Sequence, residues 1–158
     1  IAAWRPRYTT EVDVNALPHE FDWLRSAVHL NKGCYRGQET VAKVHNLGHP
    51  PRRLTMLHLD GSTNSLPPVR AEISLDGAVV GHVTYAGNHF EEGPIALGLI
   101  KRSVAADATL TVATSDGDIS ANQLVIVPAD AGRQLKPAGD TADQSSVISP
   151  NLHLVRPA

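Results

Sequence analysis

The sequence predicts a mainly β fold: an antiparallel barrel of six strands, preceded by a connector and one short helix. Three observations lead to this prediction. Short apolar segments recur between residues 52 and 128 at fairly even spacing, as in small barrels. The pairs Asp76-Gly77 and Asp116-Gly117 each separate two such segments, and a two-residue Asp-Gly loop is a strong hairpin signal. Residues 79–85 alternate between two faces, which is typical of a half-buried strand.

The predicted strands, in chain order, are Arg53–Leu59, Arg70–Leu75, Ala78–Tyr85, Ile95–Ile100, Leu110–Thr114 and Gln123–Val127. Two of them contain an interior glycine, Gly81 and Gly98, and glycine inside a strand suggests a bend or bulge that helps a barrel to close. A barrel of this size is filled by its own side chains. We therefore expect it to brace a site and not to enclose a ligand.

Outside the barrel, residues 1–51 are predicted to form the connector and the helix. Prolines interrupt residues 1–31, so little regular structure is expected there, apart from a short strand at residues 27–31. The helix should run from Gln38 to about Leu47, because Val41, Val44 and Leu47 recur at helical spacing. Gly48 is placed to end it in the left-handed conformation.

The last segment, residues 129–158, begins with small and polar residues and ends with a few apolar ones. We interpret it as a flexible linker or tail. The organisation predicted is thus a site-bearing region at 1–51, a barrel domain at 52–128 and a tail at 129–158.

Composition excludes several classes of function. The 158 residues carry a net charge of −2, so charge alone predicts no direct nucleic acid partner. No apolar run approaches the roughly 20 residues of a membrane span, and a membrane association is not expected. A single cysteine excludes a disulfide within the chain, and the sequence lacks a Gly-rich phosphate loop.

The run Lys-Gly-Cys-Tyr-Arg-Gly-Gln-Glu at residues 32–39 contains that only cysteine, Cys34. Cys34 lies just before the predicted helix, where unpaired backbone N–H groups and the cations Lys32 and Arg36 favour a thiolate. The alternative is a buried structural thiol. Gly33 and Gly37 suit either a turn or the close approach of a ligand.

Other polar and aromatic residues receive simpler interpretations. His45 and His49 could join Cys34 at a metal, but Gly48 and Pro50 break the helix between and beyond them, so no metal site is predicted. His82 is read as a solvent-facing or hydrogen-bonded strand residue. Three groups complete the list: Trp4 and Trp23 as packing anchors; Arg52 and Arg53 as a solvated strand start; and Glu11, Asp13 and Glu20 as carboxylates that form no acid/base pair.

The motif at 32–39 resembles the signature of the YgfZ-type folate-binding proteins, relatives of the glycine-cleavage T-protein (aminomethyltransferase) that serve iron–sulfur cluster assembly and repair. The flanks Arg5-Pro6-Arg7-Tyr8 and Arg52-Arg53-Leu54 are similar as well. The resemblance covers roughly residues 1–127, most closely 32–54. It departs at Ala3-Trp4, where the family usually has Ala-Gly.

This resemblance implies a C-terminal barrel of the T-protein type and a tetrahydrofolate cofactor bound mainly by N-terminal domains that are not in this sequence. It also implies as partners the N-terminal portion of the same protein and iron–sulfur enzymes, tRNA-modifying enzymes among them. The compartment would be the cytoplasm in a bacterium or the mitochondrial matrix in a eukaryote. The chain would be either a fragment or a cleavage product, and whether it catalyses a reaction stays open.

The same resemblance implies that Cys34 is a functional thiol and that Lys32, Gly33, Tyr35, Gly37, Gln38 and Glu39 face a ligand. The residues themselves leave open whether Gln38 and Glu39 cap the helix instead. Two alternative functions remain: a tetrahydrofolate-dependent aminomethyltransferase, whose family lacks the motif cysteine, and a structural barrel module.

Overall fold

A computed structural model describes residues 1–62 and 65–130. The predicted tail therefore lies, except for its first two residues, outside the described part of the chain. The six strands are β1 (Arg52–Leu59), β2 (Glu72–Leu75), β3 (Ala78–His89), β4 (Gly93–Lys101), β5 (Leu110–Thr114) and β6 (Gly117–Val125).

These strands close into one barrel in the order β1-β4-β3-β2-β5-β6, and every neighbouring pair is antiparallel. Strand β1 completes the closure, since Leu57 is aligned with Ala96 of β4 on one side and with Gln123 of β6 on the other. The predicted six-stranded barrel is confirmed. Closure leaves no strand edge exposed for pairing with another chain.

The first Asp-Gly hairpin is confirmed. Asp76 (φ 50°) and Gly77 (φ 79°) both have the positive φ that a tight two-residue turn requires. The second hairpin differs, because Thr114 pairs with Gly117 and the turn residues are Ser115 and Asp116. Strand β6 accordingly starts well before the predicted Gln123. Its first half has only two apolar residues facing inward, too few for the sequence pattern to detect.

Strand β2, the first strand of the Asp76-Gly77 hairpin, begins two residues later than predicted. Arg70 has a φ of 73°, a left-handed conformation that a strand cannot continue through. Strand β3 is longer than predicted and does not alternate regularly. One bulge at Val80 interrupts its pairing with β2, and another at Thr84 interrupts its pairing with β4. Gly81 and Gly98 lie beside these bulges, as expected for residues that let the barrel bend.

Inside the barrel, the core consists of aliphatic side chains from all six strands and the adjoining loops: Leu57, Leu59, Ala71, Ile73, Val80, Val83, Ala96, Ile100, Val104, Leu110, Val112, Ile119 and Ala121. The described residues fill this interior, as small barrels require.

A second cluster, the outer core, covers the outer face of β1 and β4: Phe21, Leu54, Met56, Ile95, Leu97, Leu99 and Val127. The connector supplies Phe21 and the half-buried Val12, Ala16 and Trp23 to this cluster. Strand β4 is therefore buried on both faces, which explains its unbroken apolar run. This apolar contact joins the connector to the barrel.

Within the connector, the structure has a 3₁₀ helix at Pro18–Phe21 and one α helix, α1, at Gln38–Leu47. The predicted helix is confirmed, although Leu47 is 68% exposed and only Val41 is fully buried. Gly48 does not adopt the predicted left-handed conformation: its φ is −155°. It leads in extended conformation into His49, which Pro50 restricts to extended backbone.

The strand predicted at residues 27–31 is wrong. The backbone N–H groups of Ser26 and Ala27 both donate to the carbonyl of Trp23, at 3.3 and 2.7 Å, so the chain turns there. The closed barrel also has no free edge with which this segment could pair. Within residues 1–62 and 65–130, no helix has the length and apolar character of a membrane span.

Candidate functional site

The motif at residues 32–39 forms an exposed loop that leads into α1. Gly37 has a φ of 79° and stands immediately before the helix, where Val41 N–H donates to its carbonyl at 3.1 Å. The N–H of Gln38 donates to the Tyr35 carbonyl at 3.2 Å. A residue with a side chain would be strained at this positive φ, so the turn explains the glycine at position 37.

Cys34 lies on this loop and is exposed, with its thiol free. It precedes α1 by the distance that the sequence indicated, and Lys32 and Arg36 beside it are exposed as well. Within this chain Cys34 is therefore not the buried structural thiol of the alternative interpretation. Its role as a functional thiol stays a prediction.

A cavity of about 240 Å³ lies beside the loop, the motif cavity, lined by Ala27, Val28, His29, Lys32 and Tyr35. The Lys32 ammonium is 5.9 Å from the centroid of the Tyr35 ring, close enough for a weak cation–π contact. The cavity combines an aromatic face, a cation and an imidazole. It is suited to part of a ligand that has both a flat apolar portion and a negative charge.

Other motif residues lie outside the lining of the motif cavity. Gly33 has open space around it, since an added Cβ would have no atom within 4 Å. Glu39 is exposed in the first turn of α1, Gln38 is half-buried, and no side chain caps that turn. The structure therefore brings Lys32 and Tyr35 together and leaves Cys34, Gly33, Gln38 and Glu39 elsewhere on the loop and helix.

Two histidines that the sequence analysis did not bring together, His19 and His45, meet where the 3₁₀ helix contacts α1. His19 of the 3₁₀ helix is 2% exposed, and its ring centroid lies 6.2 Å from that of His45 in α1. Both ring nitrogens of His19 and Nδ1 of His45 are buried without a hydrogen-bond partner among the described residues. Burial, with a smaller contribution from His45, lowers the pKa of His19. A neutral imidazole is thus the form that the fold favours.

Folding stability should therefore depend on the charge of His19. The unfolded chain takes up a proton near pH 6.5 and the folded chain only at lower pH, so stability is complete above about 6.5 and falls as the pH drops below it. We expect wild-type protein to lose about 1 kcal/mol more than His19→Leu between pH 7.5 and 5.5, measured by urea unfolding at both pH values. Equal losses would contradict this assignment. Burial lowers the pKa of His82 too, but wild type and His19→Leu share that effect, so it cancels in the comparison.

Next to His19, Arg52 joins the connector to the start of β1. Its guanidinium donates to both oxygens of the fully buried Glu20, from Nε at 2.9 Å and from Nη2 at 3.0 Å. It also donates to Asp13, from Nη1 at 2.6 Å and from Nη2 at 3.2 Å. The hydrogen bond from Arg52 lowers the pKa of Asp13, and the two carboxylates raise the pKa of Arg52.

The interpretation of Arg52 and Arg53 as a solvated strand start is therefore wrong. Arg53 is fully buried, and its Nη2 donates to the carbonyl of Val104 at 3.1 Å and to Oε1 of Gln123 at 2.8 Å. Burial lowers the pKa of Arg53. The role of Glu20 in the 3₁₀ helix could have been found in the sequence, because Glu20 follows Leu17 by three residues, the spacing of a capped helical turn. Its carboxylate accepts the Leu17 N–H at 3.1 Å.

Elsewhere, His82 is half-buried and its Nε2 lies 3.0 Å from Nη1 of Arg70, in line with the interpretation as a hydrogen-bonded strand residue. Glu11 is buried, and its carboxylate accepts hydrogen bonds from the Arg7 N–H and from the Thr10 hydroxyl. In the part of the chain that the structure describes, no three His, Cys, Asp or Glu side chains are grouped so that they could hold a metal ion.

Comparison with known proteins agrees with the fold. No family model matches the chain. A chloroplastic protein of Arabidopsis thaliana with the provisional name of a transferase, At1g60990, is 39% identical over 84 residues, which are 52% of this chain and 18% of that protein. The crystal structure of the glycine cleavage system aminomethyltransferase T from Bartonella henselae superposes with a TM-score of 0.62 at 16% identity, over 81% of this chain and 36% of that one.

The chain thus spans about a fifth of the length of the curated relative and about a third of the solved structure that it matches. At 16% identity the structural match shows the fold alone. The barrel with its short helix has a fold of the glycine-cleavage T-protein type, as the resemblance implied.

Proposed function

We propose that this chain is part of a tetrahydrofolate-binding accessory protein that supports the assembly or repair of iron–sulfur clusters, with Cys34 as its working thiol. The observation that carries the proposal is the run Lys-Gly-Cys-Tyr-x-Gly-Gln-Glu, whose cysteine is exposed on the loop that leads into α1. The T-protein type of fold supports it at a coarser level. The client enzymes, tRNA-modifying enzymes among them, follow from the resemblance only.

The residues of the motif cavity can be compared with what binding of tetrahydrofolate would require. The motif cavity, at about 240 Å³, lies below the range of roughly 300–1,000 Å³ typical of small-molecule sites. Tyr35 would offer a face to a flat ring, and Lys32 a cation to a carboxylate. These residues fit one wall of a folate site, and N-terminal domains would supply the rest. When bound, tetrahydrofolate would supply one-carbon or redox chemistry, while this chain holds and orients one side of it.

Cys34 can serve this function because an exposed thiol on a loop exchanges with other thiols, ligates iron transiently or becomes oxidised. Its surroundings leave it reachable by a partner, since Gly33 and Arg36 on either side are also exposed. The three chemistries share one requirement, a sulfur at this position. The proposal therefore depends on the sulfur and not on the volume or polarity of the side chain.

Replacement of Cys34 by serine should consequently abolish function and leave the fold intact. The test uses cells that lack this protein and therefore have low activity of an iron–sulfur enzyme. In them, the complete protein with Cys34→Ser should restore the activity of that enzyme no better than an empty vector. Thr40→Ser, a conservative change at another exposed residue, in the first turn of α1, should restore it fully. Full restoration by Cys34→Ser would refute the role of the thiol, and the same melting temperature for both variants would show that the fold was preserved.

A second candidate function is a tetrahydrofolate-dependent aminomethyltransferase. The superposition on aminomethyltransferase T favours it, and the presence of Cys34 disfavours it, because that family lacks the motif cysteine. An assay of glycine cleavage with the complete protein, the other components of the system and tetrahydrofolate separates the two. Activity that survives Cys34→Ser would favour the transferase. A structural barrel module would show neither glycine cleavage nor any dependence of complementation on Cys34.

For the compartment, we propose the cytoplasm if the protein is bacterial and an organelle matrix if it is eukaryotic. The chloroplastic name of the Arabidopsis relative supports an organelle, and makes the chloroplast a candidate beside the mitochondrion. The partners that we propose in these compartments are the N-terminal portion of the same protein and iron–sulfur enzymes.

A further inference from the structure

A second cleft, the tryptophan cleft, shares no lining residue with the motif cavity. Its volume is about 280 Å³, and it lies between the first residues of the chain and the turn that follows the 3₁₀ helix. Both tryptophans of the chain, Trp4 and Trp23, line it. Phe21, Pro6 and Ile126 contribute further apolar surface. The cleft also contains the charged residues Arg5, Asp22 and Arg25, so that it offers both the apolar and the polar contacts that small-molecule sites use.

The backbone at this cleft is held in unusual conformations. Trp4 has a φ of 51° and is fixed there by a turn in which its N–H donates to the Ile1 carbonyl at 2.8 Å. Asp22, which also lines the cleft, has a φ of 61°. A positive φ is rare for a bulky aromatic residue, and such outliers concentrate at binding sites. The Trp4 side chain nevertheless stays 40% exposed, so burial in the core is not what holds it.

The Trp23 ring is packed against the barrel. Its centroid lies 4.9 Å from that of Phe21, with the two rings tilted by 38°, and Phe21 is 2% exposed and part of the outer core. Trp23 is itself packed against that core while still lining the cleft. A flat ligand would therefore meet one aromatic wall that is already positioned, which reduces the entropy lost on binding.

The charge in the cleft is positive. Arg25 forms an ion pair with Asp22, so these two charges cancel. Arg5 is exposed and makes no hydrogen bond or ion pair with any residue in 1–62 and 65–130. A free guanidinium beside aromatic faces suits a phosphate or carboxylate, to which it can donate two parallel hydrogen bonds.

We propose that the tryptophan cleft binds a small planar aromatic ring that carries a phosphate, such as a nucleoside 5′-monophosphate, with the ring against Trp4 and Trp23 and the phosphate at Arg5. The volume limits the ligand to about one nucleotide. The net charge of −2 on the chain argues against an extended nucleic acid, whose many phosphates would be repelled. This inference is independent of the proposed function, because it uses neither Cys34 nor folate.

The two tryptophans provide the measurement, since no other tryptophan contributes to the fluorescence of the chain. Titration of the full chain with adenosine 5′-monophosphate, excited near the red edge of tryptophan absorption, should quench the emission saturably. Adenosine and ribose 5-phosphate, which each lack one half of the ligand, should bind at least tenfold more weakly. A 5′-phosphorylated dinucleotide tests whether the natural ligand is a free nucleotide or the 5′ end of an RNA. We expect it to bind no more tightly than the mononucleotide.

Arg5→Gln provides the decisive variant. It alters an exposed side chain with no partner in the described residues, so the fold should be unaffected, and affinity for adenosine 5′-monophosphate should fall at least tenfold. Arg36→Gln changes another exposed arginine, which does not line the cleft, and this variant should bind as the wild type does. Absence of saturable quenching, equal affinity for adenosine and its monophosphate, or equal binding by Arg5→Gln and wild type would each overturn the proposal.

Discussion

Replacement of Arg52 by methionine is expected to lower the free energy of unfolding by about 3–5 kcal/mol. Methionine keeps much of the length of the side chain and removes the guanidinium. Glu20, which is fully buried, would then retain, among residues 1–62 and 65–130, only the N–H of Leu17 as a hydrogen-bond donor. A buried carboxylate without its cation must stay charged in a poor solvent or take up a proton, and both states are costly. Urea unfolding at neutral pH measures the loss.

A matched control is Arg25→Met. Arg25 also pairs with a carboxylate, that of Asp22, but its side chain is 78% exposed, against 24% for Arg52. An exposed ion pair contributes about 0–1 kcal/mol, so the same substitution should cost much less there. Adding Glu20→Gln to Arg52→Met should recover part of the stability, because a neutral amide is less costly to bury unpaired. Equal losses for Arg52→Met and Arg25→Met would show that burial of Glu20 does not determine the cost.

The barrel could be predicted from the sequence because its signals are local. Strand β5 and the Asp76-Gly77 hairpin depend on residues that are neighbours in the chain, and the structure reproduces them at the predicted positions. The sequence predicts the last strand at Gln123–Val127, whereas β6 spans Gly117–Val125. Its start is missed because the inward residues Ile119 and Ala121 are separated by polar ones. Local pattern reading detects dense apolar alternation and misses sparse alternation.

The support of the site could not be predicted, because it depends on contacts between distant segments. Arg52 meets Glu20 across 32 positions and Asp13 across 39. Nothing in the spacing of these carboxylates indicated a common partner. His19 and His45 likewise meet only once the 3₁₀ helix and α1 pack together. The motif itself was visible, but the layer that positions it required the structure.

These contacts also suggest how the connector acts. The outer core attaches it to β1 and β4 through apolar contact, and Arg52 fixes its register through two carboxylates. The 3₁₀ helix in turn carries His19 against α1. The loop that bears Cys34 leads into α1, which contacts the 3₁₀ helix and through it the barrel, although the loop residues themselves are exposed. Such a loop stays accessible to a partner while its base is held.

Replacement of Gly81 by alanine is expected to cost about 3 kcal/mol or more of unfolding free energy, the upper part of the range for overpacked cores. A Cβ at this position would collide with the Leu99 carbonyl oxygen and would lie 2.8 Å from the Ile100 Cα. Both are backbone atoms of β4, the neighbouring strand, which is buried on both faces. They cannot move without shifting the barrel wall, so neither a rotamer change nor a local adjustment would relieve the contact.

Two other glycines calibrate this prediction. In Gly98→Ala the nearest atom would be Ile73 Cδ1 at 2.7 Å, the end of a side chain that can rotate, so the loss should be smaller than for Gly81→Ala. Gly48 has nothing within 4 Å of an added Cβ and an extended φ, so Gly48→Ala should change stability by less than about 1 kcal/mol. The expected order of losses in urea unfolding is Gly81, then Gly98, then Gly48. A Gly81→Ala protein as stable as Gly48→Ala would mean that β3 and β4 are farther apart in solution than their pairing here requires.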